Sequence, residues 1–303
     1  MNTVKQKFIP SNKKSNELPL DAFLLVVKEN NAEAQKTAEE IQVWLQSLQK
    51  KATIVNAFVD EFKLQNLAYE HNIVLVLGGD GTILGISRRL YNIAIPILGI
   101  NFGKVGFLTE ISPDSWKEAL TDLFAGKYQI QNFTPLHFEH IRDNKIIHSG
   151  IAINDVVIAR GFVARAIYIS LSIDDIFLSD LHCDGLICSA PLGATAYAAS
   201  SHGPLAFPSL DAHILTPISP FAGAFPPLVM PRESTIQIKV LDNRETAITI
   251  DGQDAYHAEL NDLLYVRSAD HPISMLVSDP YWFWKRLGDR GFIMPGPGKY
   301  TRQ

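Results

Sequence analysis

The stretch VLVLGGDGTILGISRRL, residues 74–90, constrains the chain more than any other. An apolar run long enough for one buried strand meets a glycine-rich turn, and the turn opens directly into a helix-like segment. The pattern repeats on either side. Ala22 to Val27 reads as a buried strand, followed by Ala34, Ala38, Ile41, Leu45 and Leu48 at the spacing of one helix face. Ala52 to Phe58, Ile73 to Leu77 and Ile93 to Ile100 read as further buried strands, with a helix beginning near Ile83. Strands alternating with helices predict a parallel sheet covered by helices.

Ser112, Pro113 and Asp114 form a helix start and Gly126 a stop, and beyond that glycine the grammar changes. LHFEHI, KIIHSGIAI, DVVIA, AIYISLSI, STIQIKVL, ETAITI and LLYVRS alternate or are β-branched, joined by turn pairs such as Asp143-Asn144 and Asp242-Asn243. One helix-like interruption lies near residues 194–202. The second half is therefore expected to be mostly antiparallel sheet, with the boundary near residue 130: an α/β domain over 1–130 and a β-rich domain over 131–275.

A balance of 27 basic against 32 acidic residues, net charge -5, gives no sign of a nucleic-acid surface. No apolar run approaches the length of a membrane span, and the N-terminal MNTVKQKFIPSNKKSNELPL has no apolar leader core, so it reads as a loose cytosolic tail. Cys183 and Cys188 are too few and too close for a disulfide framework or a zinc site, and read as reduced, packed thiols.

Gly78, Gly79 and Gly81 allow backbone N–H groups to approach a phosphate at a helix start, where Asp80 is then an oddly placed negative charge. GGDGT lacks the lysine of a Walker loop. An aspartate beside phosphates is tolerable if a divalent metal bridges them, or if it takes a proton from an attacking hydroxyl, and both conditions belong to phosphoryl transfer. The alternative is a plain strand-to-helix turn capped by Asp80 or Thr82.

Three more stretches complete a pattern: NFGKVGFLTE at 101–110, INDVVIARG at 153–161 and DGLICSAPLGATAYAASSHGPL at 184–205, with DGQ at 251–253 as a weaker fourth. In order and spacing they resemble the ATP-dependent NAD kinases over most of residues 70–255. The resemblance implies an α/β + β fold: an N-terminal α/β domain with a parallel sheet, a β-rich, sandwich-like C-terminal domain, the ligand in the interdomain cleft, and the C-terminal segment 276–303 packing back on the first domain through PYWFWKRL. It implies that Asp80 activates the 2′-hydroxyl of the adenosine ribose of NAD. Gly78, Gly79, Gly81 and Thr82 then face the phosphate donor, and Gly81, Gly106 and Phe107 line the dinucleotide pocket, with core packing as the rival for Phe107. Asn154 and Asp155 match the pair that holds adenine and ribose hydroxyls. Thr195, Ala196, Tyr197, Ala198, Ala199 and Ser200 match the stretch around the adenine and nicotinamide ends, with Asp184 and Gln253 as polar positions near the same ligand. Arg165 and His182 match positions that meet pyrophosphate or a neighbouring subunit, or are simply solvated.

The resemblance further implies ATP or polyphosphate as donor, a divalent metal such as Mg²⁺ carried with it rather than held by fixed protein ligands, and a homo-oligomer, dimer or tetramer. For the last, PISPFAGAFPPLVMP at 217–231 is apolar and carries no charge, so it is buried either in an interface or against its own subunit. Ala190, Leu192 and Ala194 replace hydroxyl residues usual in that family, His202 stands where glycine is common, and the 220–228 stretch lacks an arginine. Two rivals share parts of the pattern: a lipid or sphingoid-base kinase with the same GGDGT turn, and a dinucleotide-binding protein without turnover.

Overall fold

The structure is a computed structural model that describes residues 11–103, 106–109, 111–162, 165–279 and 281–293. Lys104, Val105 and Glu110 of the NFGKVGFLTE stretch, Pro280, and residues 1–10 lie outside the described residues. The chain forms two compact units, one drawn from 1–83, 93–131 and 274–303, the other from 84–92 and 132–273.

In the first unit the apolar runs become β1 (Ala22–Val27), β2 (Lys51–Asn56), β3 (Ile73–Gly78), β4 (Ile97–Asn101) and β5 (Gln129–Phe133). Between them lie helices α1 (Ala32–Ser47), α2 (Glu61–Tyr69), α3 (Asp80–Arg89) and α4 (Trp116–Phe124). Every residue of β1 and β3 is buried, which is why both read as unbroken apolar runs rather than alternating ones. β2 differs from its expectation: it ends at Asn56 and is only half-buried, because it is the edge of the sheet. β4 starts four residues later than expected, after Pro96, which cannot donate to the ladder. On α1 the expected face holds at Ala34, Ala38, Ile41 and Leu45, all fully buried, but Leu48 lies past the last turn and is exposed. The N-terminal segment is not loose where it is described: Asn12 and Ser15 donate backbone N–H groups to Ile130 and Tyr128, and the buried Ser15 hydroxyl donates to the Leu123 carbonyl at 2.7 Å.

The second unit holds β6 (Leu136–Arg142), β7 (Lys145–Ala152), β8 (Asp155–Arg160), β9 (Ile167–Ile173), β10 (Ile176–Cys183), β11 (Gly185–Ser189), β12 (Ala212–Ile218), β13 (Leu228–Pro231), β14 (Ile236–Val240), β15 (Thr246–Ile250), β16 (Asp254–Ala258) and β17 (Leu263–Ser268). They make two six-stranded antiparallel sheets, in the orders β10-β9-β14-β17-β6-β7 and β13-β12-β11-β8-β15-β16. Inward residues of both sheets, among them Phe138, Ile169, Ile238 and Val266 from one and Val156, Ile158, Leu186 and Ile248 from the other, form one core, the arrangement of a sandwich. The helix-like interruption is a 3-10 turn at Pro191–Thr195 and the single-turn α5 (Tyr197–Ser200), whose Ala198 packs on Val157 and Ile187 on the outer face of the second sheet.

The chain then returns to the first unit as β18 (Ile273–Val277), parallel to β4, and α6 (Trp282–Asp289). The first sheet runs β2-β1-β3-β4-β18-β5, with β1, β2, β3 and β4 mutually parallel.

Candidate functional site

In the first unit the glycine turn ends β3, and α3 begins at Asp80 itself. Asp80 and Thr82 both lie within the first turn of the helix. The Gly79 carbonyl accepts from the Thr82 and Ile83 N–H groups, and the Thr82 side chain folds over Gly78, where it would touch an added Cβ. Space beside Gly79 is open. The positive end of the helix dipole at this terminus favours an anion.

The Asp80 carboxylate is held by the loop of residues 106–109. Its Oδ2 accepts from the Phe107 N–H at 2.7 Å, and Oδ1 accepts from the N–H groups of Leu108 at 3.0 Å and Thr109 at 3.3 Å. Gly106 comes so close that an added Cβ would overlap both carboxylate oxygens. Each carboxylate oxygen has two acceptor positions. Oδ2 uses one of its two on Phe107. Phe107 is partly buried and its ring lies against those of Phe283 and Phe292. Arg286 on α6 donates to the Thr109 carbonyl at 2.6 Å, and Trp282 donates to the Gln131 side chain at 2.7 Å.

In the second unit, Asn154 and Asp155 occupy the step from β7 to β8, where their neighbours are set by two close approaches. Gly193 of the 3-10 turn lies against the Asn154 backbone, where a Cβ would overlap its carbonyl, and Ala190 donates to that same carbonyl at 2.9 Å. This brings Thr195, Ala196 and Tyr197 beside the pair. Asp155 is almost wholly buried; burial first, then the neighbouring Asp251 carboxylate, pushes its carboxyl up to about 7, against the Tyr197 backbone N–H, which lowers it. Ala190, Leu192 and Ala194 are all buried within the fold, Ala194 against Ala206 and Ile214, so apolar side chains suit these departures. His202 adopts φ +63, in the left-handed region that glycine enters most easily, which is a physical reason for glycine at this position.

Asp251 and Arg88 were not singled out from sequence. Asp251, at φ +51 in the β15–β16 turn beside Gly252 at φ +63, accepts from the N–H groups of Ile153, Asn154 and Asp155 at 3.0, 2.7 and 3.2 Å. Arg88, on the part of α3 that belongs to this unit, brings Nε within 3.6 Å of the Asp251 carboxylate and donates to Gln253 at 2.9 Å and Asp254 at 2.7 Å.

The other expected positions of this unit gather elsewhere. Asp155 pairs with Ser189 at one end of the β8–β11 ladder and Ala159 with Gly185 at the other, roughly 13 Å away at the rise of a strand. Asp184 precedes Gly185 and pairs with Arg160 at 3.1 Å. His182 stacks on Tyr168 with ring centroids 4.1 Å apart and meets the edge of Phe221, while Arg165 is exposed on the connection into β9.

The sequence model of the ATP-NAD kinase N-terminal domain matches residues 62–128, and that of the ATP-NAD kinase C-terminal domain matches residues 153–277. The chain belongs to the ATP-NAD kinase family. It is 38% identical over 275 residues to the NAD kinase of Nitratidesulfovibrio vulgaris strain Miyazaki F, covering 90% of this chain and 97% of that one. To the NAD kinase of Oleidesulfovibrio alaskensis it is 36% identical over 285 residues, 92% of this chain and 96% of the relative. Among solved structures, the NAD kinase of Archaeoglobus fulgidus in complex with ATP aligns with TM-score 0.74 at 25% identity, over 89% of this chain and 99% of that one. Yeast NADH kinase complexed with NADH aligns with TM-score 0.82 at 20% identity, over 98% of this chain and 96% of that one, and so agrees in fold. The family's α/β and β-rich architecture is the one found here.

Proposed function

We propose that this protein transfers the terminal phosphoryl group of ATP to the 2′-hydroxyl of the adenosine ribose of NAD, giving NADP and ADP. The observation that carries the reading is the Asp80 carboxylate, fixed by three backbone N–H groups with an acceptor position left on Oδ2, at the first residue of a helix that follows a glycine turn. Oδ2 takes the hydroxyl proton as the ribose oxygen bonds to phosphorus; the bond from phosphorus to the bridging oxygen breaks, and ADP leaves with that electron pair. Gly78, Gly79, Gly81 and Thr82 present the α3 terminus to the donor phosphates. Asn154 offers an amide to the base edge, Asp155 accepts from the ribose diol, and Tyr197, half-exposed, supplies a flat face.

Among the described residues no three His, Cys, Asp or Glu side chains converge on a metal position. We infer that a magnesium ion is carried on the nucleotide phosphates. Bound with ATP, it neutralises phosphate charge. No helix among the described residues is long and apolar enough to cross a membrane. Cys183 and Cys188 are free and buried, which suits a reducing compartment, and we place the reaction in the cytoplasm.

With NAD, ATP and Mg²⁺ the protein is expected to form NADP, read by a dehydrogenase that accepts only NADP. Asp155→Ala should weaken NAD binding by about 1.5–3 kcal/mol, the range for hydrogen bonds to a charged group. The pH dependence follows from the raised carboxyl: below about 7 Asp155 keeps its proton, and the ribose diol prefers the ionised form. NAD affinity should therefore rise with pH through about 7, and Asp155→Ala should abolish that rise. Calorimetry showing equal affinity in both proteins overturns the role of Asp155.

We further propose that the protein is a homo-oligomer joined through β10. This strand is an edge of its sheet and exposes Ile176, Phe177 and Leu178, and Phe221 beside His182 is 84% exposed. Phe221 and Ala222 bond to this edge at His182, and apolar side chains exposed along a sheet edge are sites of association. The 217–231 segment divides between its two expected fates: Phe225 and Leu228 pack on their own core, whereas Phe221 and Val229 face outward. Phe225 is therefore a fold residue. Phe221→Asp is the variant expected to dissociate the assembly without unfolding the subunit, read by light scattering; a monomeric unmodified protein rules the assembly out.

A further inference from the structure

We propose that Arg88 is a positioning residue for NAD: through Asp251 it holds the backbone of residues 153–155, and so sets how tightly Asn154 and Asp155 grip the dinucleotide. The inference rests on the reading of that pair as NAD contacts. It starts from the oddity of Asp251, an aspartate in the left-handed region whose side chain has no solvent exposure. Its three accepted N–H bonds all come from the step that carries Asn154 and Asp155, and the Asp251 N–H returns a bond to the Asp155 carbonyl at 3.0 Å. The two turns are thereby cross-bonded in both directions.

Burial is the largest influence on this carboxyl and raises it above its ordinary value. The N–H groups oppose that effect, and so does the Arg88 guanidinium, the cation beside it. Arg88 does more than supply charge. Its planar fork spans Asp251, Gln253 and Asp254 of one hairpin, with Gly85 on the preceding turn of α3 leaving room for the Gln253 side chain. An ammonium could match the charge but not the three-point fit. Among the described residues, the charged and titratable groups around this pair of carboxylates are Arg88 from α3, Asp254 from β16 and the Cys188 thiol from β11, which burial keeps protonated.

Removing the cation leaves two buried carboxylates that together retain a proton to higher pH. The three N–H donors keep the negative charge on Asp251, so the proton resides on Asp155. Arg88→Gln should therefore raise KM for NAD about 10-fold, the factor for one disrupted hydrogen bond to a charged group, and shift the acid limb of kcat/KM for NAD to higher pH. kcat at saturating NAD and KM for ATP should stay near those of the unmodified protein. Arg88→Lys restores the charge, so the acid limb should return while KM recovers only in part. Steady-state kinetics over a pH series on the three full-length proteins tests this. An unmoved KM and limb in Arg88→Gln overturns the positioning role, as does a loss confined to kcat. If Arg88→Gln does not fold, Arg88→Lys decides alone: a raised KM with an unmoved limb supports the role, and kinetics like those of the unmodified protein overturn it. NADP formation by the unmodified protein and the NAD affinity of Asp155→Ala report separately on the reading beneath.

Discussion

Asp80→Asn is expected to lower kcat for NAD phosphorylation by about 10²- to 10⁴-fold, the usual effect of removing a general base. NAD binding should persist, because the proton is taken only in the transition state. The local hydrogen bonds add a second consequence. Asparagine would turn its oxygen toward the N–H groups of Leu108 and Thr109, which leaves its NH₂ facing the Phe107 N–H, donor against donor. One N–H group is then unpaired, at a cost of about 1–3 kcal/mol of stability. Thermal melting and NAD calorimetry on the same preparation separate this cost from the chemical one. A variant that binds NAD and turns over at the original rate removes Asp80 as the base.

Gly106→Ala is expected to reduce kcat by about 10²-fold by displacing Asp80, since misplacing a catalytic group by roughly 1 Å has that effect. A Cβ at this position would overlap the Asp80 carboxylate, so either the aspartate or the loop that supplies its N–H donors has to move. The comparison variant is Gly103→Ala on the same loop, where the nearest atom to an added Cβ is Asn101 Oδ1 at 3.8 Å, an ordinary contact. Gly103→Ala should retain near-full kcat. Equal rates in the two variants show that the loop does not set the base.

The parallel sheet was legible because β1 and β3 are buried on both faces and read as continuous apolar runs. Strands were missed where other demands overrode the pattern. β10 exposes Ile176, Phe177 and Leu178 at its edge, and β12 buries His213 and Thr216 and contains Pro217, so neither alternates cleanly. The same logic divides the site. Asp80 and the Asn154–Asp155 pair stand out as polar residues beside turns and apolar strands, whereas Arg88 looks like one of two basic residues ending an amphipathic helix. Its partners lie 165 and 166 positions away, a relation no local spacing encodes. Asp251 did leave a signal: an Asp-Gly pair directly after an alternating strand demands a left-handed turn, and such a turn can aim the aspartate back at the chain.

Strand β18 is the last to be synthesised, yet it occupies an interior place between β4 and β5. On the ribosome strands β6 to β17 of the other unit emerge while that gap stands open. At typical elongation rates the delay is on the order of 10 s, during which β4 and β5 present edges that have not met their partner. The nascent chain is then exposed to mispairing and to capture by chaperones. A premature stop codon shortly before Ile273 would leave every residue of β1 to β5 present and their sheet unclosed. For this topology, completion of the first-made half waits for synthesis of the second unit.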